Sequence, residues 1–153
     1  MINPVIRLET PDQPEIHALL RTSDAYYAAL YPAESNHLVD IASLQQPDTS
    51  FFVARIDGAV RGIAAIRRHS GYGEVKRMFV DPTARGLKLG SRLLSALEAD
   101  ARAVGLSCLR LETGVRQPEA IALYRAAGFR EIEPFGGYQA DPNSLFMEKS
   151  LAA

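Results

Sequence analysis

The sequence predicts one α+β (mixed α/β) domain over residues 1–153, with a central, mixed and mostly antiparallel sheet and helices on both faces. The first observation is composition, because 47% apolar and 23% charged residues in a chain of 153 are ordinary for one globular domain. The second is a series of three strand-like segments between residues 50 and 80, joined by short turns. The third is a strand–helix–strand order from residue 74 to residue 112, which predicts a parallel strand pair.

The first part of the chain predicts one strand and two helices. Residues 4–9 (PVIRLE) partly alternate apolar and polar positions, which indicates a strand. Apolar residues then recur at helical spacing as far as Tyr31, with Thr10 or Asp12 as candidate caps. A second, shorter helix is predicted to begin near Ser35, which would cap it.

The middle of the chain predicts three consecutive strands. Residues 50–56 and 60–67 are rich in β-branched, aromatic and small apolar residues, and the intervening Asp57-Gly58 is typical of a hairpin turn. A glycine-rich turn leads into the third strand over residues 74–80. Because the connections are short, the strands are predicted to be antiparallel neighbours.

The last part predicts two helices and three strands. An apolar stripe indicates an amphipathic helix over residues 89–104, which Gly105 ends. The other elements are a strand over residues 107–112, a helix over residues 119–127 with Pro118 in its first turn, and strands over residues 129–132 and 145–149. A polar and aromatic loop, residues 133–143, precedes the last strand.

Composition and charge exclude several classes of function. A net charge of −1 gives no general attraction to nucleic acid or to a membrane surface. No apolar run approaches the roughly 20 residues of a membrane span. The one cysteine, Cys108, excludes an intramolecular disulfide framework, and no His/Cys cluster suggests a metal. Since the N-terminus also lacks the pattern of a signal peptide, we expect a cytoplasmic protein.

The segment Arg85-Gly86-Leu87-Lys88-Leu89-Gly90 is the strongest candidate for ligand binding. It carries two cations and two glycines where a helix begins and exposes its N–H groups. The N–H donors and the positive end of the helix dipole attract an anion, so a phosphate-bearing ligand is indicated. The alternative is a solvated connection between strand and helix.

A second candidate is the linker over residues 31–37 (YPAESNH). It brings an aromatic ring, a carboxylate, a hydroxyl, an amide and an imidazole close together in the sequence. The alternative is a capping turn before the second helix. The two interpretations are compatible.

Two motifs, in this order, resemble the GNAT superfamily of N-acetyltransferases, and in particular small bacterial members without an assigned substrate. Residues 85–90 match the family's phosphate loop, Gln/Arg-x-x-Gly-x-Gly/Ala, with Lys88 in place of the inner glycine. Gln117 to Tyr124, followed by Gly128-Phe129, matches Asn-x-x-Ala-x-x-x-Tyr with Gln in place of Asn. The resemblance covers nearly the whole chain.

The resemblance implies that acetyl-CoA is the cosubstrate and lies between two parallel strands that splay apart. The implied cofactor-binding residues are Met78, Phe79, Val80, Arg85, Gly86, Leu87, Lys88, Leu89, Gly90, Ser91, Gln117 and Tyr124. A Cβ at Gly90 is expected to crowd the phosphate. Lys88 is expected to need no positive φ and to add an ammonium to the phosphate contacts.

The resemblance also implies direct acetyl transfer, with Tyr124 as the acid that protonates the departing thiolate. Glu74 is the first candidate for the base, followed by Glu112 and His37. The alternatives are that Tyr124 is a core residue and that Glu74 pairs with Lys76 or Arg77. The other two histidines are expected to lie on the surface and receive no role.

The predicted acceptor is the amine of a small, amino-acid-like molecule. The candidate substrate-binding residues are Tyr31, Glu34, His37, Arg77, Glu112 and Tyr138. Arg77 would bind a carboxylate and Glu34 an ammonium, unless these side chains pair with each other. The alternative functions are a CoA-binding module without transfer activity, an enzyme that uses a longer acyl-CoA, and a protein or peptide acetyltransferase. A homodimer is expected by family analogy only.

Overall fold

The computed structural model describes residues 3–35 and 39–151, within which seven strands form one sheet accompanied by four helices. The strands are β1 (Val5–Leu8), β2 (Thr49–Ile56), β3 (Ala59–Arg68), β4 (Tyr72–Val80), β5 (Cys108–Gly114), β6 (Arg130–Ile132) and β7 (Ser144–Ser150). The helices are α1 (Pro14–Leu30), α2 (Ile41–Leu44), α3 (Leu89–Ala103) and α4 (Pro118–Ala126). In this part of the chain, no helix is long and apolar enough to cross a membrane.

The sheet has the strand order β1-β2-β3-β4-β5-β7-β6. The pairs are antiparallel except for β4 and β5, which are parallel and are connected through α3. The predicted fold class is therefore confirmed, including the βαβ unit at its centre.

Hydrophobic cores lie on both faces of the sheet because successive strand residues point to opposite sides. Val53, Ile63 and Ala65 are fully buried in the cluster that includes α1 and α2 residues. Their neighbours Ala54 and Ala64 are equally buried, but they belong to the cluster that includes α3 and α4 residues. The helices thus cover both faces, as predicted.

The two N-terminal helices do not begin where the sequence suggested. The N-cap of α1 is Gln13, which makes no capping bond through its side chain, so neither Thr10 nor Asp12 caps this helix. The α2 helix begins at Ile41 and is capped by Asp40, whose carboxylate accepts from the N–H of Ser43. Ser35 instead ends a short 3₁₀ turn over Ala33–Ser35. Its hydroxyl lies within reach of another loop, a tertiary contact that helical spacing does not predict.

The parallel strands β4 and β5 separate after three residue pairs, which creates the main opening of the fold. They pair only from Tyr72 to Glu74, whereas β5 pairs with β7 over its full length. At the point of separation, Arg77 has a φ of 54° and the register between β3 and β4 shifts, which is the signature of a β-bulge. The bulge bends β4 away from β5, so the predicted splay is present.

Candidate active site

A cavity of about 610 Å³ occupies the split between β4 and β5. It extends from the start of α3, past α4, to the end of β5. Most of the predicted site residues line it: Tyr31, Arg77, Met78, Phe79, Val80, Arg85, Gly86, Lys88, Leu89, Gly90, Ser91, Glu112, Gln117, Tyr124 and Tyr138. Glu74, Glu34 and Leu87 do not line it, and His37 lies outside the described residues.

The loop before α3 presents backbone N–H groups to one end of the cavity. Within the described residues, the N–H groups of residues 88–91 have no hydrogen-bond acceptor, and the first helical bond runs from Arg92 N to Lys88 O. Gly86 and Lys88 both have positive φ values, 87° and 58°, which turn the chain into the helix. Free N–H groups at a helix N-terminus form an anion site.

One expectation about this loop is corrected. Lys88 is in the left-handed region (φ 58°, ψ 33°), although a residue other than glycine was expected to avoid it. The loop therefore holds this turn at the cost of about 1 kcal/mol of backbone strain. At Gly90, a Cβ would come within 2.8 Å of Leu123 Cδ2, so α3 and α4 approach each other closely here and a larger residue would force the Leu123 side chain to shift.

The other side chains of the loop have partners within the protein. Arg85 is exposed and forms an ion pair of 3.2 Å with Glu119 of α4. Leu87 packs against the core cluster beneath α3. The anion site is thus formed mainly by backbone groups, with Lys88 as the adjacent cation.

The edge of β4 lies next to this anion site. Phe79 and Val80 pair with β3 on one side and Met78 lies in the bulge, but β5 offers these three residues no partner on the other side. The Tyr27 hydroxyl from α1 donates to the Met78 carbonyl at 3.4 Å. An extended ligand can add to such an edge through backbone hydrogen bonds.

Tyr124 lies between the two ends of the cavity. It is 6% exposed, its ring packs edge-on against Phe129, and its hydroxyl makes no hydrogen bond to the described residues. Burial, with smaller effects of Tyr27 and Glu112, raises its pKa well above the ordinary value of 10.0. The phenol therefore stays protonated and can donate a hydrogen bond into the cavity.

Tyr31 and Gln117 line the cavity near Tyr124 and are fixed by hydrogen bonds. The Tyr31 hydroxyl accepts from the N–H of Arg116 at 2.9 Å and donates to Gln117 Oε1 at 3.4 Å. Gln117 Oε1 also accepts from the N–H of Gly114. A Cβ at Gly114 would overlap the Tyr31 hydroxyl, so this ring can lie there only because the residue is glycine.

Glu74 lies behind the cavity wall rather than on it. Its side chain is 7% exposed and accepts from the Tyr138 hydroxyl at 2.6 Å and from Lys76 Nζ at 3.3 Å. Its other oxygen lies 3.0 Å from His69 Nε2. The ion pair with Lys76 suggested by the sequence is present, but Glu74 is a buried member of a network rather than an exposed charge.

Glu112 lines the cavity directly at the end of β5. Its Oε2 accepts from the Ser144 hydroxyl at 2.8 Å, and its charge contributes to the raised pKa values of Tyr31, Tyr124 and Tyr138. It therefore acts on three tyrosines of the site through its charge, whereas Glu74 acts on Tyr138 through a direct hydrogen bond.

The two residues predicted to bind a zwitterion are placed differently. The Arg77 side chain is 3% exposed and donates to Asp24 Oδ1 at 2.7 Å, with Leu20 O at 3.4 Å from the other terminal nitrogen. The bulge directs this guanidinium to α1, so Asp24 takes the place of a substrate carboxylate. Glu34 is exposed on its 3₁₀ turn and lies outside the cavity.

Two loops meet at the far end of the cavity. The Ser35 hydroxyl donates to Asp141 Oδ2 at 2.7 Å, and Asn143 Nδ2 donates to Ser35 Oγ at 3.2 Å. These bonds join the 3₁₀ turn to the loop before β7.

Several cavity residues were not predicted, chiefly Tyr26 and Tyr27 of α1 and Lys76 of β4. Both tyrosines pack near Phe79, with ring centroids 6.1 and 6.4 Å away. The apolar positions that recur at helical spacing as far as Tyr31 include Tyr27, but nothing in the sequence shows that this face of the helix meets the split in the sheet. Among the described residues, no group of side chains could hold a metal ion.

Comparison with known proteins identifies the family. A model of the acetyltransferase (GNAT) family matches residues 15–129. A protein named IAA acetyltransferase from Azospirillum brasilense is 55% identical over 153 residues, which are 99% of this chain and 100% of that protein. The crystal structure of a candidate acyl-CoA N-acyltransferase from Klebsiella pneumoniae has 38% identity and a TM-score of 0.84, covering 97% of this chain and 98% of that one.

A more distant structure shares the fold. The PaiA N-acetyltransferase from Thermoplasma acidophilum, solved in complex with coenzyme A, is 21% identical with a TM-score of 0.76, and the match covers 97% of this chain and 99% of that one. The resemblance seen in the two sequence motifs is thus confirmed over almost the whole chain. The chain belongs to the acetyltransferase (GNAT) family and is an N-acetyltransferase.

Proposed function

We propose that this enzyme moves the acetyl group of acetyl-CoA directly onto the amine of a small molecule. The observation that carries the proposal is the continuity of one cavity, which joins the anion-binding loop, Tyr124 and the end of β5. When donor and acceptor lie together in one cavity, the amine can attack the thioester without a covalent enzyme intermediate.

The cofactor half of the cavity, which comprises residues 85–91 and the β4 edge over residues 78–80, fits a CoA thioester. The free N–H groups of residues 88–91 suit the pyrophosphate, and Lys88 adds a positive charge beside them. The β4 edge suits the amide groups of pantetheine, which would replace Tyr27 at the Met78 carbonyl. Acetyl-CoA supplies the activated carbonyl, and the protein positions it.

Tyr124 is proposed as the proton donor to the departing thiolate. It lines the cavity between the loop and the acceptor end, and burial keeps its hydroxyl protonated. A donor aimed at the sulfur stabilises negative charge as it develops in the transition state.

The acceptor half of the cavity, which consists of Tyr26, Tyr27, Tyr31, Lys76, Glu112 and Tyr138, supports a small amine as substrate. The tyrosine rings suit an apolar or aromatic skeleton, and the negative charge of Glu112 favours an ammonium group beside it. The bonds from Ser35 to Asp141 and Asn143 narrow this end, which favours a compact acceptor over a peptide. Arg77 is not assigned to a substrate carboxylate because it is bonded to Asp24.

The proposed base is Glu74, acting through Tyr138. An alkylamine is protonated at neutral pH and must lose a proton before it attacks. Tyr138 lines the cavity and its hydroxyl is bonded to Glu74 at 2.6 Å, so this residue would connect the substrate to a buried carboxylate.

The test is an acceptor screen with acetyl-CoA, monitored by thiol release. The panel contains alkyl, aromatic and amino-acid amines, peptides, and IAA, after the name of the A. brasilense relative. We expect turnover with a small amine, and a Tyr124→Phe variant that loses about 100-fold in kcat while its calorimetric CoA affinity is unchanged. CoA binding without acceptor-dependent thiol release would favour a regulatory module, and turnover with peptides alone would favour a peptide acetyltransferase.

A further inference from the structure

Hydrogen bonds connect the acceptor half of the cavity to the protein surface. Tyr138 lines the cavity, and its hydroxyl donates to Glu74 Oε2 at 2.6 Å. Glu74 Oε1 lies 3.0 Å from His69 Nε2, and the His69 side chain is 31% exposed. One buried carboxylate thus separates a cavity hydroxyl from an imidazole that reaches water.

We propose that His69 is the last member of a proton path, which carries a proton from the acceptor ammonium through Tyr138 and Glu74 to the solvent. This inference rests on the proposed function, because it assumes an amine that must be deprotonated. Without a partner, Glu74 could accept one proton but could not release it to water, since only 7% of its side chain is exposed. A histidine at its second oxygen returns it to the charged form in each cycle.

The path moves one proton from the bound ammonium to the solvent. The bound ammonium gives one proton to the Tyr138 oxygen while the Tyr138 hydroxyl gives its own to Glu74 Oε2. The Glu74 carboxyl group then rotates and passes this proton to Nε2 of His69, whose neutral ring carries its hydrogen on Nδ1. Nδ1 of the resulting imidazolium releases a proton to water, and exchange of protons with water returns the neutral ring to its starting tautomer. The amine is then neutral, each protein group has its starting protonation, and one proton has entered the solvent.

The surroundings of His69 hold its ring in this place. The ring stacks on Tyr72 with centroids 4.6 Å apart and an interplanar angle of 13°. The charged and titratable groups that face it are Glu74 and Tyr72 of β4 and Asp48 before β2. Lys76 Nζ donates to Tyr138 at 2.8 Å and to Glu74 at 3.3 Å from the cavity side.

A purely structural alternative is that the network only anchors the loop before β7. The His69→Gln variant separates the two roles, because an amide can still donate to Glu74 but cannot carry a proton. We expect His69→Gln and His69→Ala to lose roughly tenfold in kcat with an unchanged KM for acetyl-CoA. Imidazole added to His69→Ala should restore kcat as its concentration rises, since a free base can enter where the ring was removed.

The matched control is His17→Gln. His17 forms a similar pair with Asp12, at 2.9 Å, but on the exterior of α1, so its loss should leave kcat and imidazole dependence unchanged. The Tyr138→Phe variant should lose activity that imidazole does not restore, because the missing hydroxyl lies between the substrate and Glu74.

The outcomes distinguish this inference from the proposed function. Wild-type turnover together with full activity of His69→Gln and His69→Ala would overturn the proton path and leave the acetyltransferase assignment intact. Reduced activity of His69→Ala that imidazole does not restore would also overturn it, in favour of the anchoring role. Absence of turnover in the wild type with every acceptor would instead contradict the proposed function, on which the path depends.

Discussion

The two halves of the cavity are built in different ways. The cofactor half is formed mostly by the backbone of two short segments, residues 78–80 and 85–91. The acceptor half is formed by side chains from α1, β4, β5 and the loop before β7. Hydrogen bonds between distant residues hold these side chains, as Tyr138 is held by Glu74.

The cofactor half tolerates a change in sequence better than the acceptor half. A backbone site persists when a side chain changes, provided that the chain keeps its turn, as Lys88 keeps the turn of the missing glycine with a φ of 58°. A side-chain site changes its shape and charge with each substitution. Side-chain substitutions should therefore disturb the cofactor half less than the acceptor half.

The largest effect is expected at Gly114, where the acceptor half depends on a missing side chain. Gly114→Ala would push the Tyr31 hydroxyl from the Arg116 N–H and from Gln117, which should lower the free energy of unfolding by about 3 kcal/mol. The matched control is Gly137→Ala, where a Cβ meets no atom within 4 Å. Urea denaturation of both variants measures this loss of stability. Equal stability of the two variants would contradict the dependence of the acceptor half on Gly114.

A second effect is expected at Asp24, which neutralises Arg77. Asp24→Asn leaves a buried guanidinium without its carboxylate, and we expect a loss of about 2 kcal/mol because Asp24 itself is half exposed. The acceptor KM should not change if Arg77 serves only the bulge. Asp12→Asn, which affects an exposed pair, should cost less than about 0.5 kcal/mol. A large rise in acceptor KM in Asp24→Asn would return Arg77 to the substrate site.

The fold and the residues that line the proposed cofactor half could be predicted because both rest on local patterns. Alternation, turn residues and the helical stripe located the strands and α3, and Gly105, with a φ of 80°, ends that helix as predicted. The proposed phosphate loop is one continuous segment, so its glycines and cations can be read directly from the sequence. Only its backbone conformation at Lys88 and the contact of Gly90 with Leu123 required the structure.

The acceptor half could not be predicted because its contacts join residues far apart in the chain. The bulge at Arg77 redirects a side chain that regular alternation would have pointed differently. Glu74 pairs with Tyr138 across 64 residues, and His69, expected on the surface, reaches this carboxylate through a turn. No short motif encodes such contacts.

An intermediate effect on stability is expected at Tyr124, which lies between the two halves, when the pH becomes alkaline. Burial raises its pKa in the folded protein, so the unfolded chain loses this proton first as the pH rises above about 10. The stabilisation is complete below that pH and declines above it, by about 1 kcal/mol for one pH unit. Tyr124→Phe should reduce this slope in urea titrations. An identical slope in the wild type and in Tyr124→Phe would show that burial of this phenol does not set the pH dependence.

The smallest effect is expected at Lys88, the cation beside the backbone amides of the cofactor half. Lys88→Gly relieves the left-handed strain of about 1 kcal/mol but gives the unfolded chain a similar amount of extra freedom, so stability should not change. The CoA Kd should rise about threefold in both Lys88→Gly and Lys88→Gln, since each removes one partly screened charge near a helix N-terminus. Calorimetry at two salt concentrations measures it. A rise in the CoA Kd of more than tenfold would show that a side chain dominates binding in the cofactor half as well. That result would contradict the difference between the two halves.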